Sequence, residues 1–295
     1  MVFRKGNDMA GSDKEQKIRM IAFDLDGTAL HRKKGLTEGT RQALLEAARL
    51  GVTMVTASGR PWSALPKELT AMDGLEYFIV GNGSSVLRRQ RGSGETERIY
   101  GKYMEPDKVE AALFVAADYP WPLEVTIGGT AYARADYVER PTDFGASSNV
   151  YVQTTRLPVK DIESFIRRNI SRIEGLTLIV ADMEEKAAIR ERLEKIPHIH
   201  VTSSVPRYLE MMNGSVNKAA ALAFLADRLK IGRKQIAAFG DGENDKEMLV
   251  YAGIGVAMEN GAADLKAAAD RIAPDCDQDG MARVIRQMLS LPEKG

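Results

Sequence analysis

The chain has 295 residues, enough for one large domain or two ordinary ones. Its 41 basic and 41 acidic residues cancel to zero net charge, so no global excess of cations points to nucleic acid or an anionic membrane. With 44% hydrophobic and 28% charged residues it has the balance of a soluble globular protein, and its single cysteine, Cys276, excludes an intramolecular disulfide and fits a reducing, cytoplasmic setting.

Residues 1–18 mix both charges and hold no apolar segment, which excludes a secretory signal and predicts a disordered extension. No stretch of the chain has the apolar length needed to span a bilayer. The first element is the run Met20, Ile21, Ala22, Phe23, a short buried strand. It ends in Asp24-Leu25-Asp26-Gly27-Thr28. Two carboxylates so close repel, and burial raises the cost unless something positive sits between them. In an α/β sheet the carboxyl end of a strand is where ligands bind. The stretch therefore points to a hard cation held by oxygens, with a turn that lets backbone approach a ligand.

After a polar linker, Thr37 is placed to cap a helix over 40–50, with Ala43, Leu44, Ala47 and Leu50 at helical spacing and Gly51 closing it. A strand over 52–57 runs into Ser58-Gly59-Arg60-Pro61, a helix is predicted over 61–70, and a third strand over 77–80 runs into Gly81-Asn82-Gly83-Ser84. Strand, helix, strand, helix, strand is the pattern of a parallel sheet with right-handed crossovers.

From residue 85 the pattern changes. Residues 86–89 and 97–100 flank a Gly/Ser turn as in a hairpin, a helix is predicted over 106–117, and 123–127 and 130–134 flank the hairpin turn Gly128-Gly129. Residues 136–150 show no period; they hold Arg134's neighbours Arg140 and Asp143, with Arg134 candidate residues for choosing a substrate. Then come 151–155, a helix around 159–170, a strand over 176–181, a helix over 184–195 and a strand over 199–203. The mixture argues for an α+β module of its own at 85–206.

The parallel pattern resumes with a strand over 208–212, a helix over 219–230 led by Ser215-Val216-Asn217-Lys218, and a strand over 235–239 that ends in Gly240-Asp241-Gly242-Glu243-Asn244-Asp245. A helix to about residue 251, a strand over 253–258, a helix over 261–269, a short strand over 271–273 and a helix over 280–289 close the chain. The fold class expected is α/β: a Rossmann-like doubly wound parallel sheet made from 19–84 and 207–295, with the 85–206 module inserted. Cys276 lies between Asp275 and Asp277, a setting that raises a thiol pKa, and is read as incidental.

Such a sheet gathers Asp24/Asp26, Ser58, Lys218 and Asp241/Asn244/Asp245 on one edge. Together they supply the parts of phosphoryl transfer. A carboxylate can attack phosphorus and form an aspartyl-phosphate. A second one can protonate the leaving oxygen and later activate water. Acids from a different strand complete a Mg²⁺ site. A hydroxyl and an ammonium hold the remaining phosphate oxygens.

The motifs IAFDLDGTAL, VTASGR, GSVNKAAAL and AAFGDGENDKEML, in that order, with GIGVAMENG and VGNGSSV beside them, resemble those of the haloacid dehalogenase superfamily, and within it the Cof-type phosphatases with a large inserted cap. The resemblance implies that Asp24 is the nucleophile and Asp26 the general acid/base. It implies that Ser58, Gly59 and Lys218 bind the phosphoryl group and that Asn244 contacts the phosphate or metal waters. Mg²⁺ would be held by Asp24, the backbone carbonyl of Asp26 and Asp241, with Asp245 in support. Ser58 stands where relatives often carry Thr, which keeps the hydroxyl. Ala29-Leu30-His31 departs from the larger apolar pair of relatives, and His31 is read as a solvated loop residue. The expected activity is Mg²⁺-dependent hydrolysis of a small phosphorylated metabolite, a sugar phosphate first among them, by a cytoplasmic monomer or small homo-oligomer with no nucleic-acid or membrane partner. A phosphosugar mutase on the same scaffold and a non-catalytic regulator that binds a phosphorylated ligand are the alternatives.

Overall fold

A computed structural model describes residues 17–90, 92–146 and 148–291. Strands in chain order are β1 (Met20–Phe23), β2 (Thr53–Ala57), β3 (Leu75–Val80), β4 (Ser85–Arg89), β5 (Thr96–Gly101), β6 (Leu123–Ile127), β7 (Thr130–Arg134), β8 (Arg156–Val159), β9 (Ile173–Ile179), β10 (Ile199–Thr202), β11 (Tyr208–Asn213), β12 (Ile236–Gly240), β13 (Ile254–Met258) and β14 (Arg271–Ala273). They form two sheets. The first has the order β14-β13-β12-β1-β2-β3-β4-β5 and the second β10-β11-β9-β6-β7-β8.

In the first sheet β14 to β3 run parallel, and β4 and β5 add an antiparallel edge. β1 sits in the middle and is buried on both faces, which is why it reads as an unbroken apolar run. Its Ile21 and Phe23 join one core with Leu44, Phe78 and Ile285, while Met20 and Ala22 join another with Leu222, Leu225 and Met248. The chain leaves β1 toward β2 on one side and arrives at β12 on the other. Ligands bind at such a switch point, outside the carboxyl ends of the strands. The second sheet has a hydrophobic core of its own, built around residues such as Val125, Leu176 and Met211.

Local chemistry explains most elements. Thr37 caps the helix Glu38–Arg49 by accepting the Thr40 N–H at 3.1 Å, as expected. The helix predicted over 61–70 is broken into the turn Trp62–Ala64 and the short helix Lys67–Thr70. Pro66 causes the break: it forces Leu65 into extended backbone at ψ 140° and offers no N–H. The segment 151–155 completes the helix Asn149–Thr155, and the strand follows it as β8.

The boundaries expected for the inserted module differ from the sheet topology at both ends. β4 and β5 are a hairpin, as expected, but it pairs with β3 in the first sheet rather than in the module. β11 was expected in the parallel core, yet it pairs antiparallel with β9 and β10. The second sheet thus draws on residues after Gly101 and up to Asn213. Strand pairing is a tertiary choice that the local sequence of β4, β5 or β11 does not encode. The extension expected over 1–18 falls outside the described residues up to residue 16, and Ile18 is buried. Among the described residues, no helix is long and apolar enough to cross a membrane.

The reversal between β3 and β4 has a steric requirement. Gly83 has φ +103°, and a Cβ there would lie 2.3 Å from the Asn217 carbonyl oxygen, at the start of the helix Lys218–Arg228. Gly51 also has a positive φ, but a Cβ there meets nothing within 4 Å. Gly51→Ala should cost only the left-handed strain, about 1–2 kcal/mol. Gly83→Ala adds a backbone clash and should cost roughly 3 kcal/mol or more in denaturant unfolding; equal costs for the two would contradict the close approach.

Candidate active site

Three parallel strands deliver the site. Asp24 follows β1, Ser58 follows β2 and the segment from Asp241 to Asp245 follows β12. Lys218 opens its helix behind them, where Asn217 caps the end by accepting the Ala220 N–H at 2.7 Å. The Lys218 side chain is fully buried. Its Nζ donates to Asp24 Oδ1 at 2.7 Å and to Asp245 Oδ1 at 2.6 Å. Oxygens of Asp24, Asp241 and Asp245 lie within 4.8 Å of one another.

Around this centre the carboxylates are placed by specific donors. Asp245 Oδ2 accepts the N–H groups of Asp241 and Gly242, both at 3.0 Å, which fixes the turn after β12. Thr28 Oγ1 donates to Asp241 Oδ1 at 2.9 Å. Gly27 allows that approach: its φ is +80°, and a Cβ would lie 2.3 Å from Asp241 Oδ2. Ser58 Oγ accepts the Arg60 N–H at 3.1 Å, and its O–H lies at the cavity wall. Gly59 lines the same wall. Asn244 donates to Asn82 Oδ1 at 2.8 Å, and Asn82 donates to Glu210 Oε1 at 3.2 Å, so a buried polar chain runs from the first sheet to β11.

The carboxylate of Asp26 is elsewhere. Arg60 Nε and Nη2 donate to its two oxygens at 2.7 and 2.6 Å, and it is not one of the clustered acids. The sequence reading placed only its backbone carbonyl at a cation, so the two are compatible.

The electrostatics follow from crowding. Three carboxylates against one ammonium leave two negative charges uncompensated when all are ionised. Burial, first, then the charge of Asp245 push the Asp241 carboxyl up to about 7. Asp24 is raised well above the usual range by burial, which outweighs the attraction of Lys218, with the neighbouring acids adding to the rise. Burial alone would lower the Lys218 pKa, but its two ion pairs outweigh burial and raise it, so it stays charged. A set of hard oxygen donors short of two positive charges fits a divalent cation.

The site floors a cavity of about 620 Å³ walled above by the second sheet. The upper wall includes Thr126, Thr177, Tyr208 and the buried pair Glu124–Arg156, bonded at 2.8 to 3.2 Å. Arg190 of the helix Met183–Glu194 pairs with Glu243, in the segment that follows β12.

A family profile described as haloacid dehalogenase-like hydrolase matches residues 21–285. The chain belongs to that family. Its relatives are named as phosphatases, and this chain is a phosphatase of the Cof type expected from its motifs. It is 29% identical to a 5-amino-6-(5-phospho-D-ribitylamino)uracil phosphatase of Bacillus subtilis, over 94% of this chain and 100% of the relative. It is 29% identical to an HMP-PP phosphatase of Yersinia pseudotuberculosis, over 93% of this chain and 96% of the relative. A crystal structure of a haloacid dehalogenase-like hydrolase from Bacteroides thetaiotaomicron superposes with a TM-score of 0.73 at 25% identity, covering 92% and 100% of the two chains.

In this haloacid dehalogenase-like phosphatase the structure brings Asp24, Ser58, Gly59, Lys218, Asp241, Asn244 and Asp245 to one place. Arg134 instead bonds Asp136 at 2.7 Å, and Arg140 pairs with Asp143 at 3.5 Å on the surface; none of the three lines the cavity. His31 is bound rather than solvated, accepting the Lys33 N–H at 3.0 Å and lying 3.1 Å from Asp277. Cys276 is buried, and burial pushes its thiol up to about 12, in keeping with an incidental role. Sequence reading gave no role to Arg60, Thr28, Asn82, Glu210, Glu124 or Arg156. Arg60 and Asn82 had a signal, since both stand in motifs at strand ends. The buried charges of the upper wall had none, because a single polar residue in a strand looks like its solvated face.

The charge deficit sets a pH dependence. A carboxyl whose folded pKa exceeds its unfolded value stabilises the fold while it holds its proton, and that stability is lost as pH rises through the folded pKa. For Asp241 the window runs from the ordinary carboxyl value to about 7. Metal-free protein should therefore melt at lower temperature at pH 8 than at pH 6 in scanning calorimetry, and Mg²⁺ at pH 8 should restore the loss. A melting temperature that rises from pH 6 to pH 8 in chelator would contradict the deficit.

Proposed function

We propose that the chain is a Mg²⁺-dependent phosphatase that hydrolyses a small phosphorylated metabolite, a sugar phosphate first among candidates, through an aspartyl-phosphate on Asp24. The observation that carries the reading is the Lys218 ammonium, buried and bonded to Asp24 at the floor of the cavity. It fixes one carboxylate oxygen and supplies the positive charge a phosphoryl group needs. The cavity volume of about 620 Å³ suits a small ligand, and hydroxyl and ionic groups in its upper wall suit a leaving group rich in hydroxyls.

The chemistry runs in two steps. An Asp24 oxygen bonds to phosphorus while the bond from phosphorus to the leaving oxygen breaks, and Asp26 gives that oxygen a proton. Water then bonds to phosphorus, the bond to Asp24 breaks, and Asp26 takes back a proton. Ser58, Lys218 and the backbone at Gly59 hold the phosphoryl oxygens, and Asn244 borders them. Mg²⁺ held by Asp24, the Asp26 carbonyl and Asp241, with Asp245 in support, would supply charge neutralisation at the phosphate oxygens. The second sheet covers one side of the cavity and would limit the access of water during the first step. The relatives' names support a small phosphorylated substrate, and a chain with a single cysteine is compatible with a reducing, cytoplasmic setting.

The test is phosphate release across a panel of small phosphorylated metabolites. Wild type should turn over at least one with Mg²⁺ and lose activity in chelator. Asp24→Asn should lose roughly 10³-fold or more in kcat while remaining folded. No release from any compound, with Asp24→Asn binding ligands as wild type does, would favour a non-catalytic regulator.

A further inference from the structure

The second sheet, the body of the second domain, turns one face to its own core through Val125, Leu176 and Met211, and alternate positions to the cavity. On the cavity side Glu210 of β11, Thr177 of β9 and Glu124 of β6 stand opposite one another in register, a row across three neighbouring strands. All three line the cavity, and so does Thr126, two residues on from Glu124. The row has a near and a far end. Glu210 Oε1 lies 3.3 Å from where a Cβ on Gly59 would stand, beside the loop read as holding the phosphoryl group. Glu124 is two strands further on, about 10 Å at ordinary interstrand spacing. Its charge is balanced by Arg156, whose Nε and Nη2 donate to it and whose Nη1 donates to Thr155 Oγ1 at 2.8 Å. Glu124 accepts from no other described residue, so its carboxylate keeps open acceptor sites beside the cavity. The hydroxyls of Thr126 and Thr177 have no hydrogen-bond partner among the described residues. Arg207 lines the cavity without a carboxylate partner among the described residues, but it precedes β11, three residues before Glu210 and off the row, and its Nη1 donates to the Ala181 carbonyl.

We propose that Glu124 is a specificity-determining residue that accepts the terminal hydroxyl of a phosphorylated open-chain polyol of six carbons and rejects an acid at that end. The proposal rests on the phosphatase reading, with the phosphoryl group held at Gly59. The length follows from the row. Eight bonds separate phosphorus from the terminal oxygen of such an ester, roughly 10 Å at about 1.2 Å of advance per bond. The chemistry follows from the partners. A terminal O–H can donate to Glu124, and hydroxyls along the chain meet Thr177 and Thr126. A terminal carboxylate has no proton to give and faces a like charge, while Arg156 is already engaged by Glu124.

The test compares glucitol 6-phosphate with 6-phosphogluconate, two esters that differ only at the carbon farthest from phosphorus, an alcohol in one and a carboxylate in the other. Wild type should prefer the alcohol by roughly 10²-fold in kcat/KM, the scale on which a site built to bond a hydroxyl rejects its replacement. Glu124→Gln keeps the shape, removes the negative charge and frees the Arg156 cation, so it should shift that ratio toward the acid by roughly tenfold or more. Thr177→Val should lower kcat/KM for glucitol 6-phosphate by roughly three- to tenfold, the scale of one hydrogen bond, and leave p-nitrophenyl phosphate, which has no hydroxyl for it, at the wild-type rate. Thr177→Val leaves the Glu124–Arg156 pair in place and carries the test with the wild-type ratio if Glu124→Gln does not fold. A wild type that hydrolyses the acid as well as the alcohol, a Glu124→Gln ratio equal to wild type, or equal losses on both esters in Thr177→Val overturns the proposal. A wild type idle on both six-carbon esters but active on another compound overturns this proposal alone, whereas one idle on every compound overturns the phosphatase reading with it.

Discussion

A buried ammonium between two buried carboxylates is the constraint on which the site depends. Lys218 has no exposed surface, and its charge is tolerable only because Asp24 and Asp245 accept from it. Asp24 ends the central strand, Asp245 fixes the turn after its neighbour β12, and Lys218 opens a helix packed on the same sheet. The ion pairs therefore lock three separate segments into one register. They also leave the cluster short of positive charge. A dication and a phosphoryl group can come to a site that has part of their charge balance built in and part missing.

The second domain adds closure to this charge arrangement. Glu210 reaches from β11 to Asn82, Arg190 to Glu243, and Tyr151 to Arg60. Each contact joins a residue beside the catalytic edge to a residue of the second domain. Burial raises the proton affinity of Glu210, Asp24 and Asp241. Charge and covering belong together: the acids are costly where they are, and the cavity beside them is where that cost becomes useful to phosphoryl transfer.

The legible part of this architecture was local. β1, β2 and β12 are short apolar runs, and each is followed within a few residues by the polar groups it delivers, so strand and site were read together. Asp24, Ser58 and Asp241 were found that way, and Lys218 as a cation at the start of a helix. The break at Pro66 was present in the sequence but was overlooked beside Pro61, which was read as the first turn of one continuous helix. The domain boundary was not legible, because β4, β5 and β11 are strands in either sheet and only pairing decides which. The Glu124–Arg156 pair and the Tyr151 contacts were hidden for the same reason. Their meaning lies in partners distant in sequence: Glu124 and Arg156 are bonded to each other 32 residues apart, and Tyr151 stacks on Arg60 beside the other sheet.

The most direct measurement is the site of covalent phosphorylation during turnover. The protein would be mixed with Mg²⁺ and a substrate found in the metabolite panel, quenched in acid within one turnover, digested and mapped by mass spectrometry. The account predicts one phosphoryl group on the peptide that contains Asp24, localised to that side chain and absent from Asp24→Asn. Rapid turnover with the phosphoryl group on another residue, or with no covalent intermediate at any quench time, would contradict it.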